Sequence, residues 1–382
     1  MTAGLPRRPQ PAAALAGASA GPPQRLVAVL CPGTPLSGRT GGIGTSLGNL
    51  LAELGASAPD IVPLLIDTRG DGHIALSPFF LARAAARIAG SARRLALLHV
   101  NMSGHGSAAR KTLLVNLAAT LRIPVLVQLH GADFDSFYRG LPAPARAVLR
   151  RTLARADHVV VLGEHWRRFI IEEIALPPGR VSVIANGVPR PAPASRPHGP
   201  PRLLFLGRLE PRKGMAELID ALGTPALRAR DWSATLAGDG DPSPYMAQAE
   251  RLGIGARLSF PGWVGPEAVA RLLREAHCLL LPSYAEALPM AVIEALAHGV
   301  PVVTTPVGAL PDYLQHEGSA LFVPPGDVAT LAATIERLLD EAALQAALAQ
   351  GGRAVFARHF DIAAVAAQIA GLYRAIAAAH GR

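Results

Sequence analysis

The chain has 382 residues, half of them apolar, and a formal net charge of +9. That length is too great for one ordinary core and predicts two domains, while no run of eighteen continuous apolar residues offers a membrane-spanning helix. Cys31 and Cys278 are the only cysteines, which excludes a disulfide framework or a cysteine metal cluster and fits a reducing, cytoplasmic compartment.

In chain order, residues 1–24 combine an arginine pair with a weak, glycine-interrupted alanine patch. They read as a disordered tail rather than a signal peptide. "RLVAVLCPG" (25–33) is an apolar run closed by a Pro-Gly turn, the pattern of a buried parallel strand. "TGGIGTSLGNLLAELGA" follows as a glycine loop entering a helix. "DIVPLLI", "LALLHVN", "IPVLVQLHG", "HVVVLG" and "VSVIANGV" are further strand-like runs, separated by helix-like stretches such as 107–121 and 143–156. This alternation over 25–188 predicts a doubly wound, Rossmann-like α/β domain.

"PRPAPASRPHGPP" (189–201) can hold neither a helix nor a central strand and reads as a linker. The pattern then restarts over 202–360 with "RLLFLGRL", "WSATLAGDG", "ARLSFPGWV", "HCLLLPS", "PVVTTPVG" and "ALFVPPGD". Residues 361–382 form one apolar-periodic helix expected to pack back on the first domain. Two such domains place a ligand cleft between them, at the carboxyl ends of the strands.

Charge divides at the same boundary. Residues 1–190 carry 21 Lys/Arg against 10 Asp/Glu (+11), and residues 191–382 carry 16 against 18 (−2). A basic first half is expected to meet something anionic: nucleic acid, an acidic membrane surface or a phosphorylated acceptor.

"SYAEALPMAVIEALAHGVPVVTT" (283–305) is almost wholly apolar except for Glu286 and Glu294. One continuous helix would set them about 12 Å apart along its axis. Pro289 instead marks the start of a helix running to His298, with Gly299 as its cap and Pro301 barring continuation. Glu286 then lies on a loop and Glu294 in the second helical turn. The helix N-terminus between them is a seat for phosphate, so the pair suits a ligand with hydroxyls on either side of a diphosphate. "GRLEPRKGM" (207–215) follows a strand directly, and its Arg208 and Lys213 can present two cations at that strand's mouth. The bland alternative for each of these residues is a solvated surface charge.

"GRLEPRKG", "LAGDG", "FPGWV", "LPSYAEALPMAVIEALAHGVPVVTTPVGALPD" and "LFVPPGD" occur in the order found in the retaining glycosyltransferases of family 4, which the chain resembles from residue 25 onward. The resemblance implies the GT-B fold, two Rossmann-like domains facing each other across a cleft, with acceptor in the first and nucleotide-sugar in the second. It implies that Glu286 holds donor-sugar hydroxyls, helped by the backbone N–H groups of Leu288 and Met290 on either side of Pro289, which shapes the donor loop. Glu294 would accept from the ribose hydroxyls, and Arg208 and Lys213 would neutralise the departing diphosphate. Gly41, Gly42 and Gly44 of "GGIGT" match the glycine loop near donor phosphate and acceptor. His130 of "VLVQLHGADF" matches the histidine beside the donor sugar. One departure is Ala287, where the family usually has glycine.

"LLHVNMSGHGSAARK" and "LHGADFDSFY" are most similar to the branch that builds exopolysaccharides on polyprenyl-diphosphate carriers, often from GDP-mannose. The resulting expectation is a retaining hexosyltransferase with a lipid-linked or oligosaccharide acceptor. It is expected in the cytoplasm, with peripheral contact to the inner face of the cell membrane. UDP-glucose and UDP-N-acetylglucosamine stay open as donors. "DFD" and "DGD" satisfy a metal-binding D-x-D pattern, but short matches arise by chance. With Arg208, Lys213 and a helix N-terminus at the diphosphate, no metal or other cofactor is expected. A glycosidase with paired acids leaves the phosphate-binding features without purpose; an epimerase or phosphorylase would keep the fold and change the reaction. A non-enzymatic basic protein that binds a surface or nucleic acid is the rival from another class, yet no nucleic-acid motif or aromatic interleaving accompanies the charge.

Overall fold

The computed structural model describes residues 24–31, 41–70, 74–193 and 198–382. The expected tail therefore lies outside the described residues except for Gln24, as does part of the proline-rich linker.

The first half builds β1 (Arg25–Cys31), α1 (Gly42–Ser57), β2 (Ile61–Asp67), α2 (Ser77–Ser91), β3 (Leu95–Met102) and α3 (His105–Thr120). It continues with β4 (Val125–Leu129), α4 (Phe134–Gly140), α5 (Ala143–Ala154), β5 (His158–Val161), α6 (Glu164–Glu172) and β6 (Val181–Val183). The second half has β7 (Arg202–Leu206), α7 (Met215–Leu222), α8 (Pro225–Arg228), β8 (Ser233–Ala237), α9 (Ser243–Arg251) and β9 (Leu258–Gly262). Then come α10 (Pro266–Glu275), β10 (Cys278–Leu281), α11 (Met290–His298), β11 (Val302–Thr304), α12 (Leu310–Tyr313) and β12 (Leu321–Phe322). Three helices close the chain: α13 (Val328–Asp340), α14 (Ala342–Val355) and α15 (Ile362–Ala379).

Two six-stranded parallel sheets result, ordered β2-β1-β3-β4-β5-β6 and β12-β11-β10-β7-β8-β9. Every strand-like run read from the sequence is one of these strands. Their β-branched and leucine-rich composition follows from burial on both faces, as in β3, where all eight residues are buried. Strand order reverses between β1 and β3 in the first sheet and between β7 and β10 in the second. The loops leaving those strands therefore flank the crevice where a doubly wound sheet binds its ligand.

α15 crosses back to the first sheet. Its Val365, Ile369, Tyr373 and Ile376 pack with Leu47, Leu50 and Leu54 of α1 in one buried cluster. The Tyr373 hydroxyl meets His99 Nδ1 at 2.6 Å, and Arg374 forks onto Asp60 with bonds of 2.9 and 2.6 Å. By length and composition α15 could cross a membrane, at a mean hydropathy of 1.6; here its apolar stripe covers the sheet.

Candidate functional site

The loop after β7 and the loop after β10 leave neighbouring strands and are fastened together. Arg212 Nη1 donates to the Ala285 carbonyl at 2.9 Å, and the Tyr284 amide donates to the Arg212 carbonyl at 2.9 Å. Gly214 makes this approach feasible: at φ 69° it lies in the left-handed region, and a Cβ there would come 2.2 Å from the Pro282 carbonyl oxygen. The product is a close pair of charges. Lys213 Nζ lies 2.5 Å from Glu286 Oε1, and Ser283 Oγ donates to that same oxygen at 2.7 Å. Both charged side chains are largely buried, so Glu286 is held in one orientation by two donors. Lys213 is thus bound to Glu286 rather than standing free at the strand mouth, as the sequence alone placed it. Ser283 carries no signal in the sequence beyond its position three residues before Glu286.

Pro289 divides the apolar stretch into a loop and a helix. It is the N-cap of α11, and Gly299 at φ 66° ends the helix. The amides of Leu288, Met290 and Ala291 donate to no acceptor among the described residues, which leaves an anion seat at a positive helix end. Glu294 is half-buried on α11, and among the described residues nothing donates to its carboxylate. Burial pushes its pKa up to about 7. Ala287, the departure from the family's glycine, sits against Gly308. At φ 62° that glycine brings its backbone so close that a Cβ would lie 2.1 Å from the Glu286 carbonyl oxygen and 2.5 Å from that of Ala287.

The first domain faces this wall with the start of α1. Gly41 is the N-cap, and Gly42 and Gly44 lie within the first helical turn rather than in a loop before it. A Cβ on Gly42 would lie 3.5 Å from Met290 Cγ. Two helix N-termini, one from each domain, therefore converge. His130 follows β4 and is buried. Its Nε2–H donates to Asn101 Oδ1 at 2.8 Å, while Nδ1 is buried without a partner. Burial, then His99 and Lys111, depress its pKa to about 3, so the imidazole is neutral. Asn101, whose amide donates to the Leu30 carbonyl at 3.1 Å, thus selects the tautomer. That residue escaped the sequence reading, although its position two residues after His99 on one strand puts both on the same face.

Together these residues line a cleft of about 890 Å³, within the range of small-molecule sites. The cleft brings Gly41, Gly42, His130, Arg208, Lys213, Glu286, Leu288, Pro289, Met290 and Glu294 to one place; Gly44 is not on its lining. Arg208 extends from the rim with its side chain 70% exposed, 3.8 Å from Glu210. Trp263 and Val264, from the end of β9, complete the far side. Asp133 and Asp239 each reach the cleft, but no group of three or more His, Cys, Asp or Glu among the described residues is arranged to hold a metal ion. The arrangement can seat an anion between cations and helix ends, with a carboxylate on each side for hydroxyl groups.

Two family descriptions match the chain: Glycosyltransferase Family 4 over residues 27–190 and Glycosyl transferases group 1 over residues 200–341. A phosphatidyl-myo-inositol mannosyltransferase of Mycobacterium tuberculosis is 35% identical over 270 residues, spanning 66% of this chain and 68% of the relative. The chain is a member of glycosyltransferase family 4.

Solved structures agree on the architecture. Sucrose-phosphate synthase from Thermosynechococcus elongatus matches with a TM-score of 0.75 at 22% identity, covering 93% of this chain and all of that one. The Anabaena protein HepE, solved with UDP-glucose, matches with a TM-score of 0.71 at 20% identity, over 92% and 99% of the two chains. The glycosyltransferase thus has the GT-B fold, with the cleft between its two domains.

Proposed function

We propose that the enzyme transfers a hexose from a nucleoside-diphosphate sugar to a hydroxyl of a lipid-linked or oligosaccharide acceptor, with retention at the anomeric carbon. The observation that carries this reading is the convergence of the α1 and α11 N-termini beside the Lys213–Glu286 pair. A diphosphate fits between the helix ends, and Arg208 and Lys213 neutralise the charge that grows on it as the glycosidic bond breaks. Glu286 accepts from sugar hydroxyls through the oxygen that Ser283 and Lys213 leave free. The unpaired Glu294 carboxylate accepts from the ribose. His130, neutral, lies beside the sugar. Among the described residues no carboxylate is placed as an obvious nucleophile, which favours a same-face route in which the donor phosphate takes the acceptor proton.

The site needs no metal on this reading, because cations and backbone amides already face the diphosphate. GDP-mannose is the preferred donor and cell-surface polysaccharide assembly, on the cytoplasmic side, the preferred setting; the mannosyl relative supports the sugar. A UDP-sugar is the second reading, favoured by the fold's likeness to a protein solved with UDP-glucose. A thermal-shift panel of UDP, GDP and ADP with their common sugars, each with and without a chelator, tests both. Stabilisation by GDP and GDP-mannose above the others, unchanged by chelator, is expected. Stabilisation by none of them removes the nucleotide-sugar reading, and acceptor-independent turnover of the sugar replaces transfer with epimerisation.

A further inference from the structure

α2, α3 and α5 form adjoining helices on one face of the first sheet, α3 packing against both others. Ala84 and Ile88, Leu114 and Ala118, and Leu149 and Leu153 are their buried, inward residues. The outward side carries four of the six large hydrophobic residues exposed among the described ones: Leu76 (52%), Phe79 (63%), Leu113 (59%) and Val148 (48%). Single exposed hydrophobics need no explanation, but several on one helical layer do.

The charge on this layer has one sign. From Gly72 to Ala132 the chain contains no aspartate or glutamate, and neither does the stretch 136–156. Arg83 and Arg87 of α2 and Arg150 and Arg151 of α5 are exposed, and Arg155 at the end of α5 reaches Asn116 of α3. The described acids that border these stretches are engaged elsewhere: Asp133 faces His105, Asp135 takes Arg139 and His165, and Asp157 takes the Val125 amide and His380. A merely solvated basic face gains nothing from exposed phenylalanine and leucine. Apolar tips set among unpaired arginines match an interface of acyl chains beneath acidic headgroups. Leu76, the N-cap of α2, and Phe79, in its first turn, follow the carboxyl end of β2, the end of the sheet at which the cleft opens.

We infer that this layer is the surface by which the enzyme docks on an anionic lipid bilayer. Leu76, Phe79 and Leu113 enter the headgroup boundary, the arginines contact lipid phosphates, and the cleft is held with its first-domain rim toward the lipid. The inference deepens the reading of a lipid-linked acceptor, and its test is independent of that reading because vesicle binding needs no substrate.

The full chain is sedimented with vesicles of phosphatidylcholine alone or mixed with phosphatidylglycerol. Wild type is expected to bind the mixed vesicles and to be released by salt. Arg150→Glu with Arg151→Glu lowers partitioning by at least about tenfold, and Phe79→Ser with Leu113→Ser by about tenfold. Both double variants keep the wild-type melting temperature and transfer to a soluble acceptor. Equal binding to neutral vesicles, or unaltered binding by either variant, overturns the proposal. So does a wild-type dimer, seen by light scattering, that Phe79→Ser with Leu113→Ser dissociates, because the face is then an interface between copies. RNA binding lost in the charge-reversed variant, without vesicle binding in wild type, overturns it in favour of nucleic acid.

Discussion

The two walls of the cleft are built on the same kind of sheet yet hold different chemistry. The second-domain wall is charged and already paired: Lys213 with Glu286, and Arg212 with Glu210 at 2.9 Å. Apart from the exposed Asp133, the first-domain wall presents the α1 amides, a neutral histidine fixed by Asn101, and Asn186, which accepts from Ser46 at 2.9 Å. Fixed charge belongs where charge develops during the reaction, on the leaving diphosphate. Neutral hydrogen-bonding groups suffice where a hydroxyl must be positioned. On the proposed function, the contrast fits a donor held mainly by the second wall and an acceptor positioned by the first.

The most severe test of that contrast is Glu286→Ala. Removing the carboxylate takes away the proposed sugar contact and leaves Lys213 largely buried without its partner, so transfer is expected to fall by about 10²–10³-fold or more. Glu286→Gln keeps a group that Lys213 and Ser283 can reach and separates folding from chemistry. It should restore most of the thermal stability lost in Glu286→Ala while transfer stays low. Near wild-type transfer by either variant would move the sugar site away from this wall.

Glu294 gives a smaller effect with a definite pH signature. Its pKa in the folded protein, about 7, stands above the ordinary value of 4.5. The folded state thus holds this proton more tightly than the unfolded chain between those values. Stability falls as pH rises through that window, and the penalty is constant above it. Glu294→Gln removes the penalty and should be the more stable protein at about pH 8, by on the order of 2 kcal/mol. Ribose hydroxyls would supply the donors the carboxylate lacks, so nucleotide affinity in wild type should strengthen between about pH 6 and 8 beyond any change in the variant. Identical pH dependence in both proteins would remove Glu294 from the ribose.

The same contrast explains what the sequence revealed. Strands buried on both faces announce themselves as continuous apolar runs, so both sheets were legible. Glu286 and Glu294 stood out because charge is rare in so apolar a stretch and Pro289 fixed the helix start, and Arg208 and Lys213 because their loop directly follows a strand-like run. What stayed hidden depends on long-range approach. Lys213 and Glu286 are 73 residues apart, and their pairing follows from β7 and β10 being sheet neighbours, an order the local pattern does not contain. Asn101 is recognisable as the partner of His130 only once β3 and β4 are paired. The glycines of "GGIGT" read as a loop because glycine is a poor helix former; here Gly42 and Gly44 occupy the first turn, with the α1 N-terminus close to Met290.

The smallest expected effect lies where the two walls touch. Asp312 of α12, on the second domain, accepts from the Glu164 amide at the start of α6 at 2.8 Å, and the neighbouring Tyr313 hydroxyl donates to the Leu162 carbonyl at 2.9 Å. Gly163 permits the approach, since a Cβ there would lie 2.5 Å from Asp312 Oδ2. Asp312 is therefore a capping residue supplied across the domain boundary, joining the structures that carry the two walls of the cleft. Asp312→Ala should cost about 0.5–2 kcal/mol of stability, the usual loss for a helix cap. If the contact also sets the spacing of the walls, the variant should raise the KM for acceptor while leaving nucleotide affinity unchanged, because the proposed nucleotide contacts lie mainly on the second wall. Weakening of nucleotide and acceptor in equal measure would mean that the walls do not divide the two substrates between them.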